Sequence, residues 1–209
     1  MARLLPSLIY GISSKLKPYK LKKFSDKIFI FIENFLLNFY NLHRAYLDIY
    51  DDMTDNEIKL ANISKDDKIL HIGCGSLPAS CILIAKKIGA SITGIDNNLK
   101  SVKYAQLCIK KYNLIDKIEI KFSDARNFPF EKFDVIFVSQ GISPQKKILK
   151  NIANKMKNNS RIIFRSISNK KNELNKNDLF IIDIFKMDKI VHHKENGPLI
   201  SILLCKKQN

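Results

Sequence analysis

From Lys68 to Ser166 the chain alternates between short apolar runs rich in β-branched and aromatic residues and amphipathic stretches of helical length. This alternation restricts the fold more than any other feature. Lys68 to Ile72, Ala90 to Ile95, Lys117 to Phe122, Phe133 to Ser139 and Arg161 to Ser166 read as strands. Leu77 to Ile88, Leu99 to Tyr112 and Gln145 to Met156 read as helices between them. Short strands joined by helical crossovers make parallel βαβ units, so the expected class is α/β, with a Rossmann-like, doubly wound, mostly parallel sheet. After a Lys/Asn-rich connection from Asn169 to Asn177, the runs Ile181 to His192 and Leu199 to Cys205 flank Glu195-Asn196-Gly197-Pro198, which predicts a C-terminal antiparallel hairpin.

Ahead of this unit, Phe24, Ile28, Phe31, Phe35, Phe39, Leu42, Tyr46 and Ile49 form a stripe at helical spacing, and a helix over Phe24 to Tyr50 is expected. Thr54 followed by Glu57 has the spacing of a capping box, which predicts a second short helix over Thr54 to Ala61. The nearby Asp48, Asp51, Asp52 and Asp55 read as a solvated helix end. The expected division is therefore an N-terminal helical appendage, residues 1–64, covering a cleft, and a sheet domain, residues 65–209.

Chemistry concentrates where the first strand runs into Ile72-Gly73-Cys74-Gly75-Ser76-Leu77-Pro78. Gly73 and Gly75 can adopt backbone angles closed to other residues, and they leave room for a ligand. Ser76 is placed to cap the following helix and Pro78 suits its first turn, so amides there face an arriving anionic group. Asp96 ends the second strand, where a carboxylate can accept both hydroxyls of a ribose, with Asn97 beside it. Nicotinamide-binding folds share that feature. The third glycine of their pyrophosphate turn is missing, however, with Leu77 and Pro78 in that region. S-adenosylmethionine (AdoMet) has no pyrophosphate; its amino-acid end would sit at the turn. Ser123-Asp124-Ala125 ends the third strand, where Asp124 can accept from an adenine amino group and Phe122, Ala125 or Phe128 can wall the base. The fourth strand delivers Ser139 and Gln140 to the carboxyl edge of the sheet, where ligands bind in open α/β folds.

The set Ile72-Gly73-Cys74-Gly75, Gly94-Ile95-Asp96, Ser123-Asp124-Ala125 and Phe133-Asp134-Val135-Ile136 resembles the class I AdoMet-dependent methyltransferases over about residues 66–166. Gly73-Cys74-Gly75-Ser76-Leu77-Pro78 is more narrowly similar to the G-x-G-x-L-P turn of nicotianamine synthases, and Val191-His192-His193 with Ser201-Ile202-Leu203-Leu204 resembles their closing hairpin. The resemblance implies an AdoMet-dependent transferase, with Gly73, Cys74, Gly75, Leu77, Asp96, Asn97, Asp124, Ala125 and Ser139 at the cofactor. Methyl transfer to a small-molecule acceptor is the first expectation and nicotianamine synthase-like transfer of the aminocarboxypropyl arm the alternative. A non-catalytic AdoMet-binding protein is a further alternative. The region before the turn is shorter than the helical region of nicotianamine synthases. Within it Tyr40, Tyr46, Tyr50 and Glu33 are candidates for that family's tyrosine and glutamate roles, and Tyr46, Tyr50, Ser139 and Gln140 are the catalytic candidates.

A net charge of +16 invites a nucleic-acid partner, but 31 of the 36 basic residues are Lys, and Arg, the better phosphate fork, is scarce. A solvated Lys-rich surface is favoured. The fourth strand ends in Ser139-Gln140-Gly141, without the Asn/Asp-Pro-Pro-aromatic turn of amino-methylating nucleic-acid enzymes. Cys74, Cys81, Cys108 and Cys205 form neither a CxxC pair nor a zinc spacing with His, which argues against a metal site and fits a reducing cytoplasm. The basic N-terminus is broken by Pro6 and Gly11, unlike a signal peptide, and no stretch reaches the length of a membrane span. The Phe-rich helix with its basic leader allows peripheral membrane contact. The oligomeric state is not legible.

Overall fold

A computed structural model describes residues 40–168, 174–193 and 198–207. The Phe24 to Phe39 part of the helix expected over Phe24 to Tyr50, Glu33, and the hairpin turn at Glu195-Asn196-Gly197 lie outside the described residues. Helix α1 (Tyr40–Leu60) leads into β1 (Lys68–Ile72), α2 (Ala79–Ile88), β2 (Ser91–Asp96), α3 (Leu99–Lys111), β3 (Ile118–Phe122), β4 (Val135–Val138), α4 (Gln145–Lys155) and β5 (Arg161–Ile167). A 3-10 turn (Lys176–Asp178) and the short helix α5 (Ile181–Ile184) precede β6 (Phe185–His192) and β7 (Leu199–Lys206).

The strands form one seven-stranded sheet in the order β3-β2-β1-β4-β5-β7-β6. β1 to β5 are parallel, and β7 inserts antiparallel between β5 and β6. β1 lies between β2 and β4, so the chain reverses its winding there and opens a crevice beyond the carboxyl ends of these strands. The central strand β4 is buried along its whole length, which is why Val135-Ile136-Phe137-Val138 is an unbroken apolar run. The outer strand β6 is largely exposed and carries Lys186 and Lys189, which discourage further pairing.

Alternate side chains feed two cores. Ile69, Val135, Phe137, Ile163 and Leu203 pack with α1, α2 and α3 on one face. Leu70, Ile72, Ile136, Val138, Ile162, Phe164, Ile202 and Leu204 pack with α4 and α5 on the other. Asn98 starts α3 by accepting from the amides of Lys100 and Ser101 at 2.9 and 3.1 Å, and Gly89 ends α2 in the left-handed region at φ +76°.

Four expectations are corrected. Thr54 starts no second helix: α1 runs unbroken through it, and the Thr54 hydroxyl donates to the Tyr50 carbonyl one turn back at 2.7 Å. Glu57 caps nothing, being fully buried against Arg165. The acidic cluster is not simply solvated, since Asp51 and Asp55 both pair with Lys87 of α2, at 2.9 and 2.7 Å. The first part of the Ile181 to His192 run is the helical turn α5.

Candidate functional site

The glycine turn is knotted to the neighbouring strands. Gly73 and Gly75 sit at φ +73° and +71°, angles that other residues rarely adopt. The amides of Gly73 and Cys74 both donate to the Ile95 carbonyl, at 2.8 and 3.2 Å. The Gly75 amide donates to Asp96 Oδ2 at 3.0 Å, while Asp96 Oδ1 accepts from the Asn98 amide at 2.9 Å. Asp96 therefore turns toward the bend. Burial pushes its carboxyl above the usual range, partly offset by the backbone amides of Asn98, Gly75 and Asn97. Space at the turn is tight: a Cβ on Gly73 would stand 3.0 Å from Ile142 Cγ2 and 3.4 Å from Ser139 Cβ. On Gly94 it would stand 2.6 Å from Ile120 Cδ1 and 3.2 Å from Cys74 Sγ.

Helix α2 begins at Ala79 behind Pro78 with no side-chain cap, so the cap expected from Ser76 is not made. Cys74 and Leu77 are buried in the core, which leaves their backbone as the part that a ligand could touch. Asn97 is exposed beside Asp96.

Phe122 pairs in register with Asp96, so its ring and that carboxylate lie on the same face, and the ring is 58% exposed. Leu99, the first residue of α3, is 52% exposed. Phe122 thus offers an apolar surface on the face of the carboxylate, of the kind a purine would cover. Ala125 and Phe128 are buried in the second core, so of the three expected wall residues Phe122 is the one presented. Asp124 holds Arg126: Oδ1 accepts from its amide at 2.8 Å and Oδ2 takes its guanidinium. That pairing holds the Asp124 carboxyl below the usual range.

At the end of β4, the Ser139 hydroxyl lies 3.0 Å from both the Gly73 carbonyl and His71 Nε2. Gln140 is exposed at the same edge. Gly73, Gly75, Asp96 and Ser139 are thus gathered into one knot, and Tyr46 and Tyr50 pair on α1, their hydroxyls 3.2 Å apart. An open groove of about 460 Å³ between α1 and the outer strand β6, lined by Asn56, Lys59, Leu60, Lys189, Ile190 and Val191, is separated in the sheet order from the β1, β2 and β4 ends that carry the knot.

Sequence reasoning missed a buried polar band on the face beneath α1 and α2. Arg165 Nε and Nη2 donate to the two carboxylate oxygens of Glu57, each at 2.7 Å, and Nη2 also reaches Ser80 Oγ at 2.7 Å. Ser201 Oγ donates to Glu57 Oε1 at 2.6 Å and lies 2.8 Å from His193 Nε2. A carboxylate only accepts, so the Ser201 proton goes to Glu57 and His193 Nε2–H donates to Ser201. The signal was present: His71 and Arg165 interrupt apolar strands, and polar side chains in such runs are buried only with partners.

A family profile described as a methyltransferase domain matches residues 63–199. An L-histidine 2-aminobutanoyltransferase of Yersinia pestis is 21% identical over 120 residues, which cover 57% of this chain and 45% of that protein. A norajmaline N-methyltransferase of Rauvolfia serpentina is 32% identical over 97 residues, covering 43% of this chain and 33% of that protein. The chain thus spans less than half the length of either relative. Among solved structures, a variant of the nicotianamine synthase MtNAS in complex with S-adenosylmethionine superposes with a TM-score of 0.74 at 17% identity, covering 90% of this chain and 75% of that one. The sheet order and hairpin described above are those of this fold.

Proposed function

Because the chain belongs to the methyltransferase-domain family of the class I AdoMet-dependent superfamily, we propose that it is an AdoMet-dependent transferase acting on a small-molecule nucleophile, with methyl transfer as the first assignment. The observation that carries this reading is the Gly75–Asp96 contact, which turns a carboxylate toward a left-handed glycine bend at the topological switch of the sheet. When bound, AdoMet supplies an electrophilic carbon attached to a positive sulfur, and the protein's part is to hold that carbon in line with a nucleophile and keep water away. The residues present fit it. The bend at Gly73 to Gly75 receives the amino-acid end, Asp96 with Asn97 takes the ribose hydroxyls, Phe122 lies against the purine, and Asp124 with the Ala125 backbone meets its edge. Gln140, Tyr46 and Tyr50 are the candidates for shaping the acceptor pocket.

A second reading, transfer of the aminocarboxypropyl arm to an amine, is favoured by two observations. The superposition on the MtNAS variant extends over 90% of this chain, and the Yersinia pestis relative is a 2-aminobutanoyltransferase. Both readings share one site and differ in which carbon next to sulfur is presented.

Calorimetric titration with AdoMet tests the shared premise: saturable binding is expected, weakened at least tenfold in Asp96→Ala. Absence of binding overturns it. Incubation with AdoMet and a metabolite extract then separates the transfers. S-adenosylhomocysteine marks the methyl route and methylthioadenosine the aminocarboxypropyl route; AdoMet binding with neither product above a protein-free control indicates a non-catalytic binding protein.

A further inference from the structure

The polar residue inside the first apolar strand has a directional role. His71 is buried at 4% exposure, with Nε2 3.0 Å from Ser139 Oγ and Nδ1 3.3 Å from Cys81 Sγ. Ser139 Oγ in turn lies 3.0 Å from the Gly73 carbonyl. A carbonyl can only accept, so the Ser139 proton points at Gly73 and its oxygen must accept from His71 Nε2–H. A neutral ring with its proton on Nε2 offers a lone pair at Nδ1, which accepts from the Cys81 thiol. Every proton along the line runs one way, from Cys81 through His71 and Ser139 to the first glycine of the turn.

The surroundings hold this direction. Burial pushes the His71 ring well below its ordinary value, and the nearby Arg165 guanidinium, itself engaged by Glu57, pushes the same way. Burial raises the Cys81 thiol to about 12, so it remains a donor. The far end of the line meets a peptide already fixed on its other side, since the Gly73 amide donates to Ile95. Gly73 is thereby gripped at both its amide and its carbonyl while held in a left-handed conformation that the backbone would otherwise leave for others.

We propose that His71, oriented by Cys81 and acting through Ser139, is a positioning residue for the AdoMet turn, holding the Gly73 peptide in the conformation that receives the amino-acid end of the ligand. The inference rests on the AdoMet reading above. It assigns Ser139 to the turn and not to chemistry, since its hydroxyl has one neighbour to donate to and another to accept from.

AdoMet titration of the full chain tests it. His71→Phe, which keeps the ring and loses both nitrogens, is expected to raise the Kd about tenfold. His71→Gln, whose amide can donate to Ser139, should stay within about threefold. Ser139→Ala should resemble His71→Phe, and adding His71→Phe to Ser139→Ala should change little more, because the line is already cut. Ring nitrogen NMR of the unliganded protein should show His71 protonated on Nε2 alone. Wild-type binding that survives His71→Phe within twofold, effects that multiply in the double variant, or an Nδ1–H ring overturns the inference. If His71→Phe does not fold, the comparison of His71→Gln with Ser139→Ala and the ring tautomer still decide it. Failure of the wild type to bind AdoMet overturns the underlying reading instead.

Discussion

The carboxyl edge of the sheet is built in two ways. Around β1 and β2 the structure depends on the backbone: Gly73, Cys74 and Gly75 direct their amides to Ile95 and Asp96, and Gly94 lies where β2 passes Ile120 and Cys74. Around β5 and β7 it depends on charge: Glu57, Arg165, Ser80, Ser201 and His193 fill the space under α1 with hydrogen-bonded polar groups. The first region tolerates little added volume and the second tolerates no unpaired charge. A left-handed glycine turn needs a fixed backbone shape, whereas the place where α1 docks needs a partner that fits only this helix in this register.

The difference sets the largest expected effect. Glu57→Ala leaves the Arg165 guanidinium buried without its counter-ion and should cost about 3–5 kcal/mol of unfolding free energy. Adding Arg165→Met should recover most of that, because two apolar side chains replace the pair. Urea unfolding of the two variants reads both values; a single variant that loses under about 1 kcal/mol breaks the assignment of this region to charge. At the turn, Gly94→Ala places a methyl 2.6 Å from Ile120 Cδ1 and 3.2 Å from Cys74 Sγ. Overpacking of this kind costs about 1–3 kcal/mol, and AdoMet titration should show weakened binding, since Cys74 belongs to the bend. Unchanged stability would show that Ile120 can move aside and that the turn is less tightly packed than its distances indicate.

The same contrast explains what could be read in advance. Gly73, Gly75 and Asp96 were legible because a turn is written in adjacent residues and a strand end fixes where its last side chain goes. The doubly wound, mostly parallel sheet followed from the alternation of runs, because helical crossovers between short strands make parallel βαβ units. Thr54 and Glu57 were misread because a Thr-x-x-Glu spacing is the same at a helix start and within a helix; what decides is Arg165, 108 positions away. Ser201 joins Glu57 across 144 positions, a separation with no local signature. Ile181 to Ile184 was assigned to a strand because Ile-Ile-Asp-Ile suits either state at that length, and tertiary packing chose the helical turn. Asp124 follows its strand as expected, but an acidic residue there reads the same whether it awaits a ligand or holds Arg126, two residues on.

Acid should sharpen the comparison by a smaller amount. Burial lowers both His71, at the turn, and His193, in the charged region, below the ordinary 6.5. The unfolded chain then binds protons before the folded one, so the stability these rings contribute is present above that value and declines as pH falls beneath it. The slope approaches about 1.4 kcal/mol per pH unit for each ring that stays neutral. Asp96 and Asp178, raised by burial, act in the opposite sense nearer the carboxylate range. His71→Gln and His193→Gln should each flatten the decline measured by urea unfolding between pH 6.5 and pH 5 (about the range where an ordinary histidine titrates). A slope unchanged in both would mean that neither ring is buried in its neutral form.

The smallest effect is expected where the same two helices are tied at the surface. Lys87 of α2 bridges Asp51 and Asp55 of α1 much as Arg165 grips Glu57. Its side chain is 26% exposed and those of the two aspartates are 44% and 42% exposed. Water and salt screen such pairs, so Lys87→Ala should cost only about 0.2–1 kcal/mol, and the loss should shrink further when the ionic strength is raised. Glu57→Ala should respond to salt hardly at all, because no screening ion reaches a carboxylate with zero exposure. The two variants therefore separate charge from burial as the cause of α1 docking. If Lys87→Ala were as damaging as Glu57→Ala, and as indifferent to salt, the position of α1 would depend on the number of ionic ties and not on the desolvated one.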